Sequence, residues 1–154
     1  MTIGFNHLGR HGRLGNQMFQ YAGLRGIAAH RGFDFMIPDS DFKDEWTDHQ
    51  LFEAFKLKGL TNIGMCPGTY VGEAHFHYDA NLFNNMPDNH NVYAYLQSTK
   101  YFEHIEDDIR EDFEFKNEIR VPCEDMIATV SDPIALHVRR GDYIQNCDNH
   151  PPCP

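Results

Sequence analysis

No apolar run in these 154 residues approaches the ~20 needed to cross a bilayer, which excludes a spanning helix. The opening Met1-Thr2-Ile3-Gly4-Phe5 leads straight into polar residues, with neither a basic n-region nor a signal h-region, so the expected compartment is the cytoplasm. Basic residues are scarce: 13 Lys and Arg stand against 23 Asp and Glu, for a net charge of -10. A chain so acidic is not built to neutralise a nucleic-acid backbone or an anionic membrane, and any anion it binds must be met locally. The 4 cysteines, Cys66, Cys123, Cys147 and Cys153, show no Cys-x-x-Cys spacing, so a disulfide scaffold is excluded and free thiols are expected. Cys147 and Cys153 flank His150 without a fourth ligand, and the strand-face pair His75 and His77 lacks a third, so no metal site is expected. Internal repeats and low-complexity segments are also absent.

Two stretches stand out. Pro133 to Val138 is short and apolar, follows the turn-like Ser131-Asp132-Pro133, and reads as a buried strand. It runs into His137-Val138-Arg139-Arg140-Gly141-Asp142-Tyr143, which gathers charge at a strand's C-terminal end, where ligands of open α/β sheets bind. Adjacent arginines there suggest a guanidinium fork for an anionic oxygen group. The second stretch, from Gly9 to Gln17, contains three glycines together with Arg10, His11 and Arg13. It matches neither the Gly-x-Gly-x-x-Gly fingerprint nor the phosphate loop, so its glycines say only that backbone approaches something closely.

Around these stretches strands and helices alternate. Ile3 to Phe5 is expected as the first strand. Asn16 is the expected N-cap of a helix reaching Arg31-Gly32, with Met18, Phe19, Ala22, Leu24, Ile27 and Ala28 near helical spacing. Phe33 to Ile37 reads as a second strand, and Phe42 to Gly64 as a variable connection with a core patch of Leu51, Phe52, Phe55 and Leu57 beside Trp46. Short β-like runs follow at 69–71 and 75–78, then a loop over 81–91 and a strand from Asn91 to Leu96. Gln97-Ser98-Thr99 opens a helix that buries Tyr101, Phe102, Ile105 and Ile109, and its acidic side is a solvated face. A last helix is expected with Pro122 near its first turn and Met126, Ile127 and Val130 turned inward. This order implies an α/β fold with a mostly parallel sheet.

Three stretches, Gly12 to Ala22 (GRLGNQMFQYA), Leu96 to Phe102 (LQSTKYF) and His137 to Tyr143 (HVRRGDY), together resemble the α-1,2-fucosyltransferases of glycosyltransferase family 11. The resemblance implies the Rossmann-like N-terminal half of a GT-B glycosyltransferase. Such an enzyme transfers fucose from the donor GDP-fucose to a glycan acceptor with inversion, using no metal and no other cofactor. It also implies roles. Arg139 clamps the donor diphosphate, Arg140 is a second donor contact, and His137 and Asp142 shape the same pocket. Asn16 lies near the donor, with Gly12 and Gly15 permitting the approach.

The chemistry asks for the same groups. Departure of GDP builds negative charge on the β-phosphate, and a fixed cation there stabilises the transition state more than the ground state. On a strand, His137 and Arg139 share a face opposite Val138 and Arg140, so a single arginine takes the central place. Arg139 is the expected one, with Arg140 pairing to Asp142 or another acid; the structural alternative is a buried ion-pair network of the three charges. The acceptor hydroxyl must lose a proton. Asp142 is nearest in the motif but is better read as the arginines' orienting partner, and His11 is a weaker candidate base.

The domain expectation is a Rossmann-like domain over 1–132, followed over 133–154 by the first strand and loop of a donor-binding domain. A complete donor half needs on the order of 100 more residues. The chain is therefore expected to lack most of its second half, and a separate C-terminal half is a candidate partner. The alternative to a fucosyltransferase is a non-catalytic remnant binding a glycan or a protein partner.

Overall fold

The computed structural model describes residues 1–42, 48–138 and 148. By its contacts the chain divides into two units, Met1–Ile119 and Arg120–Pro154.

The first unit is an α/β domain on a five-stranded sheet. In chain order its strands are β1 (Thr2–Gly4), β2 (Asp34–Ile37), β3 (Asn62–Ile63), β4 (Tyr70–Gly72) and β5 (Asn91–Tyr93). All pairings are parallel and the spatial order is β3-β2-β1-β5-β4. From β1 the chain first builds outward through β2 and β3, then returns on the other side with β4 outermost and β5 against β1. The order therefore reverses between β1 and β5, and the crevice at their C-terminal ends is where such sheets bind ligands.

β1 is buried on both faces, as parallel strands are when helices cover them. Ile3 and Phe5 are fully buried, Ile3 lying in register with Phe35 and Gly4 with Met36 and Asn91. The long helix α1 (Leu14–Arg31) adds Tyr21, Leu24, Ile27 and Ala28 to the core, and Gly32 and Phe33 close its C-terminus with bonds to the carbonyls of Ala29 and Ala28. Gly23 and Gly26 lie against Leu96 and the Tyr101 carbonyl, where a Cβ would collide, so the segment 96–102 rests directly on helix backbone. Beneath α1, Asp112 is fully buried and accepts hydrogen bonds from Tyr21 Oη, Arg25 Nη1 and the backbone N–H of Gly59. Those partners supply what a buried carboxylate requires.

Several expectations are corrected. The N-cap of α1 is Arg13, without a side-chain cap bond, and Leu14 N–H donates to Gln50 Oε1 at 2.7 Å. Asn16 lies inside the first turn; a long-range glutamine supplies the cap that the local pattern had placed there. The connection 42–64 holds a helix, α2 (Gln50–Ala54), and edge strand β3, although Leu51, Phe55 and Leu57 are buried as expected. Residues 75–77 are bends, and no strand forms over 75–78. The expected loop over 81–91 contains α3 (Ala80–Asn85), because Asp79 caps it, accepting from the N–H groups of Asn81 and Leu82. β5 stops at Tyr93, and two 3₁₀ turns, Thr99–Tyr101 and Glu103–Ile105, precede the α4 helix (Glu106–Asp112), with Tyr101 and Ile109 buried as expected.

The last helix, α5 (Asn117–Ile127), departs furthest. Pro122 lies in its interior, and Met126, Ile127 and Val130 are exposed, not turned inward. Residues 133–138 form no strand, and Ile134 and Leu136 are 95% and 87% exposed. A short apolar run becomes a strand only when another strand takes its backbone groups, and none pairs with this one among the described residues. Trp46, Arg139, Arg140, Asp142, Cys147, His150 and Cys153 lie outside the described residues.

Candidate functional site

The site is built at the C-terminal ends of β1, β5 and β4. After β1 the chain runs through Asn6 and His7 to the glycine loop. Asn6 is buried and clasps Cys66, its Nδ2 donating to the Cys66 carbonyl while its Oδ1 accepts from Cys66 N–H, both at 2.9 Å. Asn91 at the head of β5 donates to the carbonyls of Cys66 and Gly68 at 3.0 and 2.7 Å. These paired amides fix the loop entering β4 against the two strands that border the crevice.

Gly12 follows with φ of +90°, a backbone state that side chains disfavour, and a Cβ there would strike the Asn16 side chain. Around Gly15 nothing lies within 4 Å of a built Cβ, so its openness is toward free space. Asn16 Oδ1 accepts a hydrogen bond from Gln97 Nε2 at 2.7 Å. The glycine loop and the segment Leu96 to Phe102, far apart in the chain, thus meet through their amides. Gln20, fully buried, donates to the His11 carbonyl at 3.0 Å, and Gln17 donates to the Asp48 carbonyl at 2.6 Å. The loop is held by three glutamines, Gln17, Gln20 and Gln97.

Beside it stands a cluster of rings. His7 and His11 stack with centroids 5.8 Å apart, and Tyr93 meets both edge-on, at 5.2 and 4.8 Å. Tyr70 reaches His7 at 4.9 Å and Tyr95 reaches His11 at 6.2 Å. Partial burial, with the Arg10 guanidinium nearby, pushes the pKa of both histidines below the ordinary 6.5, so both are neutral at pH 7. A cleft of about 310 Å³ opens here, walled by His11, Glu73, His75, Phe76, Tyr93 and Tyr95.

Glu73 orders the cleft's far wall. One carboxylate oxygen accepts from the N–H groups of Tyr95 and Leu96 at 3.0 and 3.3 Å, and the other accepts from Tyr101 Oη at 3.1 Å. Leu96 has φ of +53°, costly for a branched side chain, and is fully buried. That turn ends the run of Tyr93 and Tyr95 along the cleft and delivers Gln97 to Asn16. A larger cleft of about 510 Å³ beside Met18, Phe19 and Phe102 is mainly apolar, and its charged pair Glu106 and Arg110 is mutually satisfied.

A glycosyltransferase family model, Glycosyl transferase family 11, matches residues 72–150, just over half of the chain. The chain belongs to glycosyl transferase family 11. Comparison with curated proteins found no match, and comparison with solved structures found none either. Membership of family 11 supports glycosyltransferase activity and implies nucleotide-sugar and glycan substrates. The matched segment takes in Glu73, Tyr93, Tyr95 and Gln97 as well as His137 to Asp142.

The sequence-derived residues therefore fall in two groups. Gly12, Gly15 and Asn16 are together at the start of α1, in the first unit. His137 is exposed in the second unit. Sequence reasoning missed Glu73, Tyr93 and Tyr95, and marked Gln97 only as a member of the Leu96 to Phe102 stretch. Alternation would have found the tyrosines, since residues two apart at a strand's exit share one face. No local signal marks Glu73, whose partners lie more than twenty residues away.

Proposed function

We propose that the protein is a fucosyltransferase, moving fucose from GDP-fucose to a hydroxyl of a galactoside acceptor with inversion and without a metal. The observation that carries this reading is the His-x-Arg-Arg-Gly-Asp sequence at 137–142, lying inside the segment that matches family 11. Arg139 holds the β-phosphate, where charge grows as the bond to fucose breaks and the sugar becomes oxocarbenium-like. Arg140 adds a second donor contact, oriented by Asp142, and His137 shapes the same pocket. An arginine fork supplies this charge without a divalent cation.

In the glycine loop, Asn16 is the donor-side residue, with Gly12 and Gly15 leaving its approach open. The hydrogen bond that its Oδ1 accepts from Gln97 Nε2 supports that role by fixing the side chain. The test is a coupled assay of GDP release and product formation, using the full-length protein with GDP-fucose and lactose. Expected are one GDP per fucosylated lactose, indifference to EDTA, and a fall of about 10²–10³-fold in kcat for Arg139→Ala, the cost of removing one preorganised donor. Turnover of a different nucleotide sugar in place of GDP-fucose sinks the donor assignment.

A further inference from the structure

We infer that the cleft between the glycine loop and the exits of β4 and β5 seats the acceptor sugar, and that His11 takes the proton of its reacting hydroxyl. This rests on the fucosyltransferase reading above and names the group that completes it.

The cleft has the chemistry of a carbohydrate site. Phe76 and Tyr93 line it with 75% and 47% of their surface exposed, and Tyr95 packs on Phe76 with centroids 5.9 Å apart. Aromatic faces beside polar groups, in a concave site of about 310 Å³, suit a sugar ring with its apolar face and hydroxyl rim.

Within this cleft the proton acceptors can be separated by what they already do. Glu73 has both oxygens engaged by Tyr95 N, Leu96 N and Tyr101 Oη, so it orients the wall. His75 is exposed and its Nδ1 lies 3.1 Å from the His77 carbonyl. His11 is different. Its main chain is anchored by Gln20, its ring is set by His7, Tyr93 and Tyr95, and neither ring nitrogen is engaged in a hydrogen bond within the described residues. Nε2 is enclosed and His11 lines the cleft, so we assign the proton to Nδ1. A neutral imidazole held in this way is a ready base.

The step balances simply. The acceptor O–H bond breaks and its proton passes to His11, while the acceptor oxygen bonds to C1 of fucose. The C1 to phosphate-oxygen bond breaks, its electron pair leaves with GDP, and His11 returns the proton to solvent. Donor cleavage by water can proceed without this base, so loss of His11 separates transfer from hydrolysis.

The experiment measures both reactions in the full-length protein with GDP-fucose, with and without lactose, in wild type, His11→Ala and the similarly sized His11→Gln. Expected is a loss of transfer of about 10²–10³-fold in both variants, with GDP-fucose hydrolysis and the donor KM within a few fold of wild type. Thermal melts of the two variants check that they fold. Wild-type kcat/KM for lactose should fall as pH drops below about 6.5, and His11→Gln should lose that acid limb. The titratable and charged groups around His11 are His7 and Arg10 on its own loop, Tyr93 at the end of β5 and Tyr95 beyond it, and Glu73 and His75 beyond β4. Wild-type transfer rates in His11→Gln overturn the inference, as does an equal loss of hydrolysis and transfer. A transfer-selective loss in His75→Ala but not in His11→Gln moves the role to His75 and overturns it too. A wild type that neither hydrolyses nor transfers GDP-fucose removes the fucosyltransferase reading, and this inference with it.

Discussion

Thr2 to Phe5 and Ile134 to Val138 are both short and both carry apolar side chains, yet they end in opposite states. Ile3 and Phe5 are fully buried, whereas Ile134 and Leu136 are 95% and 87% exposed. The difference lies in their neighbours. Backbone groups of β1 pair with β2 on one side and β5 on the other, and α1 packs against it. The segment 133–138 pairs with no strand among the described residues. A strand is a property of the sheet that accepts its hydrogen bonds, and apolar sequence is only the qualification for joining one.

The sharpest way to break this contrast is at Asp112, the buried carboxylate below α1. Asp112→Ala leaves Tyr21 Oη and the Gly59 N–H without their partner and reduces Arg25 to its contacts with Asp108, so a loss of about 3–5 kcal/mol in urea unfolding is expected. A loss under 1 kcal/mol would mean that water replaces the carboxylate. Next, Gly26→Ala drives a Cβ into the Tyr101 carbonyl and should cost about 1–3 kcal/mol by the same measurement. Asp79→Ala removes the cap of α3 and should cost about 1 kcal/mol.

A smaller effect is set by pH. His7 and His11 have folded-state pKa values below 6.5, so the unfolded chain binds protons first as pH falls. Their contribution is fully present above pH 6.5 and is lost as pH drops through the folded values. The melting temperature should decline over that acid window, and less so in a His7→Gln, His11→Gln double variant. Smallest of all, Met126→Lys should change stability by no more than about 0.5 kcal/mol, because the side chain is 70% exposed. A loss above 1 kcal/mol there would show that the side chain is covered in the protein, and the contrast between the two regions would narrow.

Part of the candidate site was legible before the structure. The glycine loop, α1 and the Leu96 to Phe102 segment were all marked by residue type, and the meeting of Asn16 with Gln97 joins two of the three stretches that suggested the family. Helix α3 was hidden because Asn, Pro and Asp favour loops, and only the Asp79 side chain turned that bias into a cap. Edge strand β3 was hidden by its two-residue length. The Arg13 start of α1 was misplaced because its true cap, Gln50, is thirty-six residues away.

By itself the sequence determined the α/β class, through the alternation of apolar runs with helical spacing, and the family, through three motifs. Tertiary structure decided which of those side chains are neighbours. It brought His11, Tyr93, Tyr95 and Glu73 to one cleft where the strand order reverses, and it capped α1 from a distant glutamine. Residue type is local and can be read along a line. Hydrogen-bond partners and burial depend on which distant segments the sheet brings together, and that is fixed only when the whole chain packs.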